Sequence, residues 1–271
     1  MSGAVDANIN YILPTDEKPV TYLTNPGSKP AQRNAEYREV EVTIRDARPT
    51  ADALDLEREG FAFNTEGSAV SDFYDSDEIE AVYSPEVERL VKQASGAAEV
   101  LVFDHTIRVA DDTLRSERKV REPVHVAHND YTPRSAPQRV RDLLPADRAE
   151  ALLQHRFAVV QMWRPIAGPV QDMPLAICDA QSIDERDFML TDLVYTHRVG
   201  EVMQLSHNPG HRWFYFPEMD PGEAMIFKTY DSLADGRARF TAHTAFANPN
   251  APADARPRQS IESRTLAFFA P

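Results

Sequence analysis

Val124-His125-Val126-Ala127-His128-Asn129-Asp130-Tyr131-Thr132 carries a His-x-Asp pair inside a segment that otherwise reads as a strand. Side chains two apart on a strand leave by the same face, so the His128 imidazole and the Asp130 carboxylate can converge on one point. His125 has the opposite parity and should face away. A neutral imidazole and a carboxylate on one face supply two of the three ligands of the facial triad with which non-haem Fe(II) oxygenases hold their metal. Alone, His-x-Asp is a weak signal, because a motif this short recurs by chance. Its weight depends on the rest of the chain.

The composition narrows the classes. A net charge of −14 argues against nucleic acid and against an anionic membrane surface, and reads as solubility. The chain is 42% hydrophobic and 27% charged, ordinary for a globular protein, and its 271 residues suit one large domain, 1–271. Twenty prolines against ten glycines suggest stiff loops between strands, and neither GxGxxG nor GxxxxGK[ST] occurs. The single cysteine, Cys178, cannot form an internal disulfide, so a reducing cytoplasm is expected. No basic-then-apolar leader and no apolar run of membrane-span length are visible, so neither export nor insertion is expected.

Residues 1–35 read as an arm with short strands at 9–13 and 20–23 and prolines at Pro14, Pro19, Pro26 and Pro30. Residues 37–44 (YREVEVTI) alternate apolar and polar, as a half-buried strand does. A short helix is expected over 52–60 and a strand from Phe61. Residues 76–96 are the clearest helical region: Ser76 caps a first helix, Ser84-Pro85 starts a second, Val87, Leu90 and Val91 form a stripe, and Gly96 stops it. Residues 99–109 (EVLVFDHTIRV) make an apolar strand in which His105 reads as structural. Residues 110–122 read as a charged loop, and 137–156 as two short helices broken at Pro145. Residues 157–166 (FAVVQMWRPI) form a strand with Gln161 and Trp163 on one face and Met162 and Arg164 on the other. Short strands follow at 175–180, 192–195, 202–205, 212–217, 224–228, 237–245 and 259–269. Helices early and short strands between Pro-rich turns predict a mainly β fold with flanking helices, a double-sheet jelly roll whose core occupies about 99–271.

A third ligand must come from a strand that returns beside the first. His197, the His207/His211 pair and His243 compete. A turn and an apolar strand (Pro221 to Phe227) precede His243, and an irregular loop then leads to Arg258-Gln259-Ser260-Ile261. Arg-x-Ser suits a keto acid whose far carboxylate needs a bidentate partner. We therefore choose His243 over His211. Alternation puts Arg258, Ser260, Glu262 and Arg264 on one face, where they could also be a solvated ion-pair ladder.

These motifs occur in order with others: Ile9-Asn10-Tyr11, Glu59-Gly60-Phe61, Val102-Phe103-Asp104-His105, Trp163-Arg164-Pro165-Ile166, His211-Arg212-Trp213-Phe214-Tyr215-Phe216-Pro217 and Phe227-Lys228-Thr229-Tyr230-Asp231-Ser232. Together they resemble the non-haem iron, 2-oxoglutarate-dependent oxygenases of the cephem 7-methoxylase-like, gibberellin desaturase-like and fungal hydroxylase/desaturase type. The resemblance implies a double-stranded β-helix core, Fe(II), 2-oxoglutarate and O2. It implies His128, Asp130 and His243 as ligands, and either Arg258 or Arg264, with Ser260 or Tyr230, for the cosubstrate carboxylate. Trp163, Arg164, His211, Trp213 and Tyr215 are candidate substrate contacts. The activity implied is hydroxylation or desaturation of a small molecule of secondary metabolism, with no nucleic acid, no membrane and room for a homodimer. A catalytically inactive accessory subunit on the same fold, and a zinc hydrolase using the same ligands, are the rival readings.

Overall fold

The computed structural model describes residues 3–22, 32–196 and 199–270. Its strands are β1 (Val5–Ile12), β2 (Val20–Tyr22), β3 (Gln32–Arg33), β4 (Tyr37–Asp46), β5 (Phe61–Asn64), β6 (Glu99–Val109), β7 (His128–Asn129), β8 (Phe157–Ala167), β9 (Leu175–Cys178), β10 (Phe188–Val194), β11 (Val199–Leu205), β12 (Trp213–Tyr215), β13 (Ala224–Asp231), β14 (His243–Ala245) and β15 (Gln259–Phe268). They form two sheets. The smaller runs β5-β13-β8-β15-β6; the larger runs β1-β4-β12-β9-β14-β7-β11-β10-β2-β3.

β8 and β15 lie inside the smaller sheet with both of their faces covered, which is why both are almost wholly buried, β8 mostly with apolar residues and β15 with Ser260, Glu262, Ser263 and Thr265 as well. One face packs Val160, Met162 and Ile261 against a helix. The other turns Trp163, Met225 and Phe227 toward Leu175 and Ile177 of the larger sheet. Two sheets facing across an apolar layer, with helices outside, make a jelly-roll core. The arm is part of it. β1 pairs with β4 along its whole length, and Val5, Ala7, Ile9 and Tyr11 cover the far face of the larger sheet, against Ala176, Cys178, Trp213 and Ala242.

The helix against the smaller sheet is built as its sequence suggests, with two differences: the cap, and the absence of a break at Ser84. Asp75, not Ser76, is the cap, and its carboxylate accepts from the amides of Asp77 and Glu78. α1 (Ser76–Glu78) runs through a wide π turn at Ile79–Tyr83 into α2 (Ser84–Ser95) without stopping. The Ser84 amide donates to Ile79 O five residues back, so the register widens just before Pro85, whose nitrogen has no hydrogen to give. Gly96, at φ 70°, ends the helix in the left-handed conformation. Val87, Leu90 and Val91 are the buried stripe.

Other expectations shift. Residues 110–122 are not all loop: α3 (Asp112–Arg118) forms there, capped by the Asp111 carboxylate. The helix expected over 52–60 is a 3-10 turn, Arg48–Ala53, followed by turns, because Pro49 sets the start earlier. Of 237–245, only His243–Ala245 is hydrogen-bonded as a strand. α4 (Ser135–Leu143) and α5 (Ala146–Leu153) break at Pro145 as expected and cover one end of the barrel through Ala136, Val140 and Ala149. Leu23, Pro26, Gly27, Pro30 and His197 lie outside the described residues. Among the described residues no helix is long and apolar enough to cross a membrane.

One buried charge cluster ties the sheet together. Asp231, fully buried, accepts from Lys228 Nζ at 2.9 Å and Arg156 at 2.7 Å. Burial acts to raise its carboxyl, but the two cations outweigh this and hold it below the usual carboxylate range. A depressed folded pKa contributes stability above the ordinary carboxylate value, near about 4, that is lost as pH falls below it. Asp231→Ala leaves Lys228 buried beside fewer carboxylates. It should cost about 3 kcal/mol in urea denaturation at neutral pH and should flatten the acid limb of the stability curve; a variant as stable as the parent at neutral and at acid pH alike would show that the cluster contributes nothing.

Candidate metal centre

The larger sheet brings the two imidazoles together by pairing. β7 and β14 are adjacent, His243 sits directly opposite His128, and the ring centroids are 4.4 Å apart. The strand at residue 128 is short; it ends at Asn129, and Asp130 lies in a bend. The carboxylate nevertheless returns to the same side, with Asp130 Oδ1 3.3 Å from His128 Nε2. One ligand atom from each of His128, Asp130 and His243 falls within 4.8 Å of the others, a group that could hold a metal ion. His125 is exposed, as its parity required.

The tautomers are set by the backbone. His128 Nδ1 donates to Val126 O at 2.8 Å and His243 Nδ1 to Thr241 O at 3.3 Å. A carbonyl only accepts, so each ring carries its hydrogen on Nδ1 and turns the Nε2 lone pair inward. Burial, with His128 adding to it, pushes the His243 imidazolium down to about 4, so the ring is neutral at neutral pH. A lone pair and a carboxylate oxygen 3.3 Å apart repel unless a cation lies between them, and a divalent metal with nitrogen and oxygen ligands is the fitting cation.

Asp130 is held from behind. Its Oδ2 accepts from Gln161 Nε2 at 2.8 Å and Arg264 Nε at 2.9 Å. Burial acts to raise this carboxyl, yet Arg264 and the imidazoles outweigh it and keep it well below the usual range. All three nitrogens of Arg264 are taken: Nε by Asp130, NH1 by Asp104 at 2.6 Å and Thr106 at 3.1 Å, and NH2 by an ion pair with Glu262 that lacks hydrogen-bond alignment. Arg108 approaches Glu262 from the other side at 3.4 Å.

Arg258 is different. It is 2% exposed, stacks 5.0 Å from the Trp163 ring, and donates only to neutral oxygens, Ser260 Oγ at 3.1 Å and Met173 O at 2.8 Å. Among the described residues no carboxylate lies within ion-pair distance of it. Burial and the neighbouring Arg108 pull its guanidinium down to about 9, the mark of a buried cation short of a counter-charge; guanidinium still keeps its proton. The Trp163 indole N–H beside it is also buried without a hydrogen-bond partner among the described residues.

The remaining expected residues scatter. Tyr230 packs between Phe157 and Phe240 and pairs with Val159, four residues along β8 from Trp163, roughly 13 Å at strand rise. Arg164 faces the helix side, over Tyr83, and donates to Pro221 O and Glu66 O. Trp213 pairs with Cys178 while Phe214 pairs with Ile177, the residue opposite His243. Trp213 and Tyr215 therefore lie on the far face with Tyr11, and His211 stacks there against Tyr11 with Nε2 on Asp187 at 3.1 Å. His105 is held between Ser84 and Ser263, a structural role. Two contributors escaped the sequence reading. Asn129 shows no signal beyond its place between the two ligands. Gln161 does: it is a lone amide in a buried apolar run.

A family model described as "Oxidoreductase/YMDC permease-like domain" matches residues 9–268. The chain is 33% identical over 255 residues to the Fe(II)/2-oxoglutarate-dependent dioxygenase nvfI of Aspergillus novofumigatus, covering 91% of this chain and 90% of that protein. It is 30% identical over 291 residues to the hydroxylase/desaturase efuI of Hormonema carpetanum, covering 99% and 96%. The solved structure of the iron and alpha-ketoglutarate-dependent endoperoxidase NvfI superposes with a TM-score of 0.87 at 30% identity, over 99% of both chains.

Asp130→Ala should abolish tight binding of Fe(II), or of Co(II) as its surrogate, in a calorimetric titration. The fold should survive, since Arg264 keeps Asp104 and Glu262. Parent-like metal affinity in that variant would remove Asp130 from the ligand set.

Proposed function

We propose, for a chain that belongs to the Fe(II)/2-oxoglutarate-dependent dioxygenases of the fungal hydroxylase/desaturase type and so uses Fe(II), 2-oxoglutarate and O2, that His128 Nε2, His243 Nε2 and Asp130 Oδ1 are the iron ligands. The observation that carries this is the pair of Nδ1–carbonyl bonds, which aim two neutral lone pairs and one carboxylate oxygen at one point. Iron with 2-oxoglutarate and O2 supplies the oxidising power that breaks an unactivated C–H bond.

Arg258 rather than Arg264 takes the far carboxylate of 2-oxoglutarate, with Ser260 beside it. Supporting this, Arg264 is already saturated by three carboxylates, whereas Arg258 is a buried cation with only neutral acceptors. Trp163 Nε1 adds a donor on the same side that has no partner among the described residues. His128 and Asp130 each keep 12% of their side chains exposed while His243 is buried, so the open side of the centre lies along the inward residues of the edge strand β6, Asp104 and Arg108. Substrate enters there. It is a small molecule of secondary metabolism, hydroxylated or desaturated at C–H. The protein's residues orient it and keep bulk water from the buried His243 side. Trp213, Tyr215 and His211 support the sheet from its far face and leave the substrate role to inward residues. The whole chain works as one catalytic unit in the cytoplasm, without nucleic acid, and a homodimer is compatible with this reading.

Anaerobic addition of Fe(II) and then 2-oxoglutarate should produce the weak visible charge-transfer band of the chelate. No band from well-folded protein would favour the accessory-subunit reading. In the same titration Arg258→Gln should raise the 2-oxoglutarate Kd by at least about 30-fold, equivalent to about 2 kcal/mol, with Fe(II) binding unchanged. An unchanged Kd would move the carboxylate to Arg264.

A further inference from the structure

The amide of Gln161 stands out because the fold does not need it. Apart from Gln161 and Arg164, which faces the helix side, β8 is an apolar strand at the centre of the smaller sheet, and Gln161 is fully buried within it. Its Nε2 is engaged, by Asp130 Oδ2 at 2.8 Å and more weakly by Thr229 Oγ1 at 3.4 Å. Its Oε1 is buried with no partner among the described residues. The amide cannot be turned round to relieve this, because Oε1 would then face an ionised carboxylate oxygen, acceptor against acceptor. A buried acceptor left unpaired weakens a fold, and an apolar side chain of the same shape would pack there without that cost. The residue's value therefore lies in what Nε2 holds.

We propose that Gln161 is a positioning residue of the metal centre, one that fixes Asp130 as a ligand through a single oxygen. This rests on the iron-ligand reading above. Arg264 Nε and Gln161 Nε2 both donate to Oδ2, and two donors occupy the lone-pair directions of that oxygen. Oδ1, the oxygen 3.3 Å from His128 Nε2, is then the only one turned to the metal. Arg264 supplies charge, but it also serves Asp104 and Glu262, so it does not by itself fix the angle of the Asp130 carboxylate. Gln161 adds the second direction. Without it the carboxylate can roll and present both oxygens, filling a position that cosubstrate or O2 requires.

The test compares Gln161→Met, close in shape and without a donor, with the parent; Gln161→Leu stands in should the methionine variant fail to fold. Apoprotein melting, Co(II) affinity and the visible spectrum of the Co(II) form are measured on both. The expected result is an apoprotein at least as stable as the parent, Co(II) affinity lower by about 10- to 100-fold, and a changed intensity of the Co(II) bands, which reports coordination number. An apoprotein that melts earlier with parent-like affinity and spectrum would make Gln161 merely structural and overturn the proposal. If the parent and its Asp130→Ala variant bind Co(II) equally, the iron-ligand reading fails instead, and this inference with it.

Discussion

The candidate centre depends on one buried amide, that of Asn129, which stands between the two members of the His-x-Asp pair. Its Nδ2 donates to Tyr131 O at 2.7 Å and Thr229 O at 2.8 Å, and its Oδ1 accepts from the Thr241 amide at 3.1 Å. The first bond closes the bend in which Asp130 sits. The second ties that bend to β13 of the smaller sheet. The third holds the segment that reaches His243 two residues later. Because β7 is only two residues long and meets β14 at a single pair, the ladder alone would locate these side chains weakly. The amide replaces the missing ladder.

The sheets around it are arranged so that each face has one task. The inward face of the smaller sheet carries the groups that serve the centre: Gln161 and Trp163 from β8, Glu262 and Arg264 from β15. Its outward face carries Met162 and Ile261, sealed by α2. In the larger sheet Ile177, Phe214 and His243 share one side and Cys178 and Trp213 the other. Both imidazoles, His128 and His243, sit on strands whose backs are buried, so their orientation is set by packing as well as by hydrogen bonds, as preorganised sites require.

Legibility followed how local the physics is. Strands with a clear period, such as β4, and apolar runs such as β6 and β8 were readable, as was the helix ended by Gly96. α3 was not, because a charged, solvated helix has no apolar stripe, and only the Asp111 cap betrays it. His128, Asp130 and His243 were singled out from spacing and order, and the structure brings one ligand atom of each within 4.8 Å of the others, although the alternation argument reached Asp130 by a strand that stops one residue short. What distinguishes Arg258 from Arg264 was not legible, because the carboxylates that surround Arg264 arrive from β6 and the residue-130 bend, far apart in sequence. Trp213 and Tyr215 looked like substrate residues because aromatic composition carries no information about sheet face, whereas the pairing of Phe214 with Ile177 does.

Around the triad three carboxylates, Asp104, Asp130 and Glu262, face three guanidiniums, Arg108, Arg258 and Arg264. The protein's own formal charge at the centre therefore cancels before anything binds. Fe(II) alone would bring a double positive excess into this weakly solvated interior, and 2-oxoglutarate alone a double negative one. Together they restore neutrality. The two are thermodynamically linked through the field of the site: each strengthens the binding of the other by the same factor, with no moving part required.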